Sequence, residues 1–245
     1  TNYLVANLAL TDVLVAMTTI PGTLLSLHDL PKTFRMCVVL QSLILLPTKV
    51  SSFGYLALTI ERVVAIKYPF LYIRLSTKRN AKIVITLTWL LGICFVCSGL
   101  YRLGSTEFRV NSSLAQCTVP SALSLEFMVY VQFFGNTFPT AISIGVLYVI
   151  ILVEINAMTK TDKKKSQLRL SIVEKCRRVE GRAALRCGLL VGVFFLCQIP
   201  IGLSGVAHLW FGLQCRKCKI VFLCLFLGNS AVNPLLYSLT NKDLK

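Results

Sequence analysis

The sequence predicts an all-α fold, an integral membrane bundle of upright helices, on three observations. The chain is 55% hydrophobic and only 15% charged, where a water-soluble domain carries about 25% charged residues, and its mean hydropathy is +0.71. Six apolar stretches, near 3–27, 37–60, 81–101, 122–153, 184–209 and 219–239, reach the roughly 20 residues a helix needs to cross a bilayer. None alternates as the strands of a membrane barrel do. The third observation is where charge sits. Of 26 Lys and Arg, six fall in 62–82, ten in 156–186 and two in 241–245, against two, two and three in 28–37, 101–121 and 211–219. Cationic residues gather on the cytoplasmic side, so Thr1, the 62–82 loop, the 156–186 segment and Lys245 are expected inside. The net charge of +16 then reads as topology and attraction to anionic membrane lipids. Nucleic-acid binding is excluded because the basic residues flank spans instead of forming one stripe.

Each span carries its own reason. The first holds Asp12, nine residues past Tyr3 and so about 14 Å from the cytoplasmic edge. A lone carboxylate at that depth is costly and requires partners or a cation. In the second span Cys37 and Arg62 are 25 positions apart, about 37 Å along a helix, which puts Cys37 at the outer rim and Arg62 at the inner rim. Ser51 precedes Arg62 by eleven residues, about 16 Å. Lys49, two positions earlier, points about 200° away from Ser51. Gln132, Asn136 or an anionic ligand group would satisfy it, and an acidic ligand is the expectation; a snorkelling or structurally paired lysine is the alternative. The stretches 81–101 and 122–153 are spans by length and hydropathy. In 184–209, Pro200 bends the helix, and Glu180, twenty residues earlier, lies about 30 Å deeper at the level of Arg62.

The last span, 219–239, is interrupted by Asn229, Ser230, Asn233 and Pro234. Polar residues at membrane depth face the protein interior and mark function. Asn233 precedes Lys242 by nine residues, again about 14 Å. Three helices therefore place polar side chains at one level near the membrane centre. Asp12, Ser51, Asn229, Ser230 and Asn233 supply the oxygen ligands that a hard cation takes, so an allosteric sodium ion is expected there; a hydrogen-bond cluster without an ion is the alternative. Otherwise neither cofactor nor metal is expected.

Cys37, Cys117, Cys215 and Cys218 fall outside, where disulfides persist. Cys94, Cys97, Cys197 and Cys224 lie in spans and read as packing residues, and Cys176 and Cys187 as reduced thiols. The sequon Asn111-Ser112-Ser113 also falls outside, as glycosylation requires. Residue 1 is not Met and the chain opens directly in an apolar span, so an upstream portion is expected to precede it.

Residues along the chain resemble rhodopsin-like G-protein-coupled receptors. The run ending at Asp12 looks like that family's second helix, and Glu61-Arg62-Val63 like its Asp-Arg-Tyr motif. Pro69, Trp89, Pro139 and Phe194 with Cys197-Gln198-Ile199-Pro200 match further helix signatures. Asn233-Pro234-x-x-Tyr237 matches the signature of the last helix, and Asn241-Lys242-Asp243-Leu244 the start of the short helix after it. The resemblance implies one receptor domain over 1–245 holding helices two to seven with the first helix missing, 156–186 being the third intracellular loop and helix ends. It implies a Cys37–Cys117 disulfide and a multi-pass protein of the plasma membrane. Within the family, GNSAVNPLLY at 228–237, Pro21 and the Cys215-x-x-Cys218 pair in the third outer loop are similar to adenosine receptors. The asparagine with which those receptors hold adenine would fall at Gly205, which argues against adenosine as the ligand. Ile44 stands where amine receptors carry an aspartate, and 223–230 hold no lysine for a retinal Schiff base. Gln198 replaces a tryptophan linked to activation, Val63 replaces the tyrosine beside Arg62, and Leu147 falls where a tyrosine is usual. Tyr148, one residue on and about 100° around the helix, is expected to turn away from the interior.

The implied activity is a receptor for an extracellular small molecule or peptide, coupled to a heterotrimeric G protein. Ile44, Thr48, Lys49, Gln132, Gln198 and Leu223 are the expected ligand contacts. Glu61, Arg62, Glu180, Asn233, Pro234 and Tyr237 are the expected coupling switch: Arg62 shares its fork between Glu61 and Glu180, and release lets the sixth helix pivot at Pro200. A non-signalling or truncated receptor is one rival. A secondary transporter is the other, disfavoured because no internal repeat is visible. Catalysis finds no nucleophile–base pair or metal-ligand spacing, and His28 and His208 sit near the outer rim.

Overall fold

The structure, a computed structural model, describes residues 2–28, 30–31, 33–105, 117, 123–164, 172–213, 215, 217–218, 221–222 and 224–225. For 2, 26–27, 99–105, 158–164, 172–187 and 190 it describes the helical path only. Helix α1 is Asn2–Leu27, α2 is Phe34–Lys67, α3 is the short Pro69–Leu75, and α4 is Lys78–Ser105. A π-helical stretch, Phe127–Thr137, leads into α5, Phe138–Lys164, and α6 is Ile172–Phe211. All these elements are helical, and five spans (Tyr3–Leu25, Phe34–Lys67, Lys78–Ser98, Phe127–Ala157 and Val191–Phe211) are long and apolar enough to cross a membrane. They coincide with the first five apolar stretches of the sequence. Most of the sixth, with Leu223, Asn229, Ser230, Asn233, Pro234 and Tyr237, lies outside the described residues, as does Asn111.

Helix α2 is the hub, packing against α1, α3, α4, α5 and α6. Its most apolar window is 61% buried, against 17% for α4 and for the fifth-helix span. The other helices turn apolar side chains such as Met17, Ile83, Val149 and Leu196 outward, as lipid-facing surfaces require. Lipid gives helices no hydrophobic reason to associate, so close backbone approach at small residues takes that role. A Cβ at Gly54 would stand 2.8 Å from Leu8 Cδ2 of α1, and one at Gly92 of α4 would stand 2.8 Å from Val50 Cγ2 of α2. These two contacts fix the α1–α2 and α2–α4 seams.

Three buried clusters mark the levels of the bundle. Cys37, Val38, Leu45, Cys117, Leu123 and Phe127 close one end. Leu4, Leu8, Tyr55, Leu58, Ile144, Val191 and Phe194 join α1, α2, α5 and α6 further along. Ile66 and Ile151 meet at the other end.

Three sequence expectations change. The 62–82 segment is largely helical, because α2 runs on to Lys67 and Pro69 starts α3 at a position where its missing N–H costs nothing. Within the 156–186 segment α5 runs to Lys164 and α6 starts at Ile172, beside the expectation of a loop with helix ends there. Cys94, Cys97 and Cys224 are exposed and fill no interior space, whereas Cys197 is buried; Cys94 and Cys97 lie on the outer side of α4, a peripheral helix. Tyr148 faces inward after all, its ring against Gly188 of α6 and against the central and far clusters. The buried stripe of α5 runs through Ile144 and Ile151, and on a wheel of about 100° per residue Leu147 and Tyr148 lie about equally far to either side of it, so the neighbouring helix and not the wheel decides which one turns in.

Candidate functional site

At the end of the bundle that holds Cys37, the Cys37–Cys117 disulfide ties α2 to the connection that precedes the π-helical stretch, with a Cα–Cα distance of 5.5 Å. A second disulfide joins Cys215 to Cys218. Gln41, one turn past Cys37, donates from Nε2 to Cys117 Sγ at 3.8 Å.

One turn deeper, α2 carries Ile44, Thr48 and Lys49, all buried. Gly22 admits Ile44, whose Cδ1 lies 2.8 Å from where a Cβ would stand on α1. The Thr48 hydroxyl donates to the Leu45 carbonyl at 2.6 Å, next to Pro47 within the helix. Lys49 follows Leu45 by one turn and shares its face, and Leu45 packs in the cluster with Phe127, against which Met128 and Val131 rest. Lys49 thus lies on the face of α2 that carries Leu45, which shares a buried cluster with the start of the π-helical stretch. Buried on that stretch are Gln132, 4% exposed, and Asn136, 2% exposed. Both polar atoms of the Gln132 amide and Nδ2 of Asn136 lack a hydrogen-bond partner among the described residues. Asn136 Oδ1 accepts from Thr140 at 3.4 Å, and Thr137 Oγ1 donates to the Gln132 carbonyl at 3.1 Å. On α6 the notch at Gly202 is filled by the Phe133 ring, and Gln198 is buried one turn away.

The π geometry was not legible in the sequence. The stretch is eleven residues long and ends two residues before Pro139, which supplies no N–H.

At mid-bundle, Asp12 is 4% exposed and Ser51 3%. Thr11 Oγ1 donates to the Leu8 carbonyl at 2.7 Å and pairs with Ser51 Oγ at 2.7 Å. Thr11 has one proton, spent on Leu8, so Ser51 donates to Thr11 and keeps its lone pairs. Thr11 is a contact that sequence reasoning missed, although it adjoins Asp12. Ser51 thus faces α1, and Lys49 lies about 200° around the helix from it. Of the five expected cation ligands, the described residues include Asp12 and Ser51, both buried, and Ser51 meets α1 through Thr11. On the outer side of the α1–α2 seam, Trp89 Nε1 of α4 donates to Asn7 Oδ1 of α1 at 3.0 Å.

Toward the far end, Tyr55 of α2 and Phe194 of α6 stack with centroids 4.6 Å apart. Tyr55 is a second missed contact; its signal was a tyrosine one turn past Ser51 on the same face. Arg62 is 1% exposed, with Nη2 3.5 Å from Glu61 Oε2. A guanidinium buried to this degree needs hydrogen-bonding acceptors and a counter-charge around it. Glu180 lies on the described path of α6.

Comparison with known proteins adds a family. The description "7 transmembrane receptor (rhodopsin family)" matches residues 1–237. The chain is 28% identical over 265 residues to Adenosine receptor A2b of Bos taurus, covering 100% of this chain and 77% of that protein. It is 26% identical over 266 residues to Adenosine receptor A2b of Homo sapiens, with the same coverage. With Adenosine receptor A2a of Homo sapiens the identity is 25% over 264 residues, covering 100% of this chain and 62% of that protein.

Proposed function

The chain belongs to the rhodopsin family of seven-transmembrane receptors, multi-pass membrane proteins and not enzymes, and from that premise we propose that it binds an extracellular ligand and activates a heterotrimeric G protein. The observation that carries the reading is Arg62, buried at the end of α2 away from the disulfide and held beside Glu61. With Glu180 on α6 it closes the inner end of the bundle. Ligand binding favours a state in which α6 pivots outward at Pro200, releases Arg62 and opens a cleft for a helix of the G protein. Asn233, Pro234 and Tyr237 complete the switch, and a sodium ion at Asp12, Ser51, Asn229, Ser230 and Asn233 opposes it by fitting the closed state alone.

The ligand lies between α2, the π-helical stretch and α6, touching Ile44, Thr48, Lys49, Gln132, Gln198 and Leu223. The relatives are named for adenosine, and a different ligand is favoured here. Gly205 stands where the resemblance calls for an adenine-holding asparagine, and even a Cβ there would come within 3.3 Å of Val129 Cγ2.

The test is guanine-nucleotide exchange on purified G proteins by membranes bearing the chain, against Arg62→Ala. Exchange above background that Arg62→Ala abolishes supports coupling; equal exchange in both removes it. Gln198, in place of the tryptophan that the resemblance calls for, favours a second reading as a non-signalling receptor, which no exchange with any G protein would select.

A further inference from the structure

We propose that Lys49, Gln132 and Asn136 form a subsite for the carboxylate of a small organic ligand, between α2 and the π-helical stretch. The proposal deepens the receptor reading by naming the ligand class. Helix α2 packs along the fifth helix, with Ile66 against Ile151 at one end, while at the other Leu45 and Phe127 belong to one buried cluster. Lys49 on one partner and Gln132 and Asn136 on the other lie between those levels, each more than nine-tenths buried. None of the three is needed to hold this seam, since apolar pairs close it above and below. Burying an ammonium and two amide groups without partners is costly, and Lys49 makes no hydrogen bond or ion pair among the described residues.

The donors define the guest. Lys49 Nζ brings one positive charge, and Gln132 Nε2 and Asn136 Nδ2 bring neutral N–H groups without acceptors among the described residues. A carboxylate has one charge and lone pairs for several such donors, so binding leaves no net charge in a low-dielectric interior. A phosphate dianion would leave an excess negative charge there, which is costly. A neutral amide of the same shape would leave Lys49 uncompensated.

The test is the thermal unfolding midpoint of the whole chain in lipid nanodiscs, titrated with hexanoate, hexanamide and inorganic phosphate. The expected result is a rise with hexanoate, none with hexanamide or phosphate, and an apparent affinity at least about tenfold weaker in Lys49→Met, as loss of a charged hydrogen bond implies. Gln132→Leu should weaken it by a smaller factor. No rise with hexanoate in the unaltered chain, an equal rise with hexanamide or phosphate, or an unchanged response in Lys49→Met would each overturn the proposal. Arg62→Ala separates the two readings: it removes coupling and should leave the hexanoate response intact, so failure of either leaves the other standing.

Discussion

Replacing Tyr55 with leucine should raise ligand-free G protein activation. The Tyr55 and Phe194 rings are both fully buried and stack across the α2–α6 seam at 4.6 Å and 43°. Phe194 sits six residues before Pro200, on the part of α6 that swings in the proposed switch, so the stack belongs to the closed state. An aromatic pair contributes about 0.5–1.5 kcal/mol beyond the area it buries, and leucine keeps most of the apolar burial. Losing about 1 kcal/mol from the closed state alone shifts its ratio to the open state roughly fivefold. Where the open state is a small minority, basal nucleotide exchange rises by the same factor. Tyr55→Phe keeps the ring and removes the hydroxyl, so the comparison of Leu with Phe isolates the stack. The assay is basal exchange in membranes with matched amounts of folded protein. Equal exchange in Tyr55→Leu and Tyr55→Phe would refute the reasoning, because it would mean the contact persists when α6 moves or that α6 does not move.

Asp12→Asn should abolish the suppression of basal exchange by sodium; full sodium sensitivity in that variant removes the cation from the α1–α2 seam. Gly92→Val should lower the thermal midpoint, since its Cβ meets Val50 Cγ2 at 2.8 Å and overpacking costs about 1–3 kcal/mol. Gly145→Ala, with nothing within 4 Å of the added carbon, should be neutral or stabilise by up to about 1 kcal/mol, and a midpoint drop equal to that of Gly92→Val would contradict the packing argument. Trp89→Phe removes the 3.0 Å bond to Asn7 and should cost about 1 kcal/mol in the same measurement.

The architecture was legible because lipid leaves a chain few choices. Runs of about 20 apolar residues must be helices, and five of the six expected spans have helical counterparts. The meeting of Ser51 with the helix that carries Asp12 was legible for a similar reason, since a rise of about 1.5 Å per residue sets both at one depth. What the sequence hid were features set by neighbours. Tyr148 faces inward because Gly188 of another helix leaves room for its ring. The π-helical stretch was hidden because apolar periodicity does not report backbone pitch. Tyr55 and Thr11 acquire meaning only from Phe194 and Ser51, partners 139 and 40 residues away.

One rigid element links the levels of the proposed mechanism. Helix α2 presents Ser51 to α1 and Tyr55 to α6, carries Lys49, which the proposal sets toward the π-helical stretch, all within seven residues, and bears Arg62 near its inner end. On this reading a carboxylate at Lys49 acts on α6 indirectly, by drawing Gln132 and Asn136 toward α2. Phe133 lies between those two residues and fills the notch at Gly202, two residues past the Pro200 bend. Movement of the π-helical stretch therefore reaches α6 on the outer side of its hinge, while Tyr55 meets Phe194 on the inner side. A lever loaded on both sides of one bend needs no contact between ligand and switch. It also accounts for how a glutamine at 198 could stand where the resemblance calls for tryptophan: the coupling contact is carried by Phe133 instead. Gly202→Ala, which drives a methyl into the Phe133 ring, should accordingly change basal exchange, whereas a Gln198→Ala variant should leave it near the unaltered level.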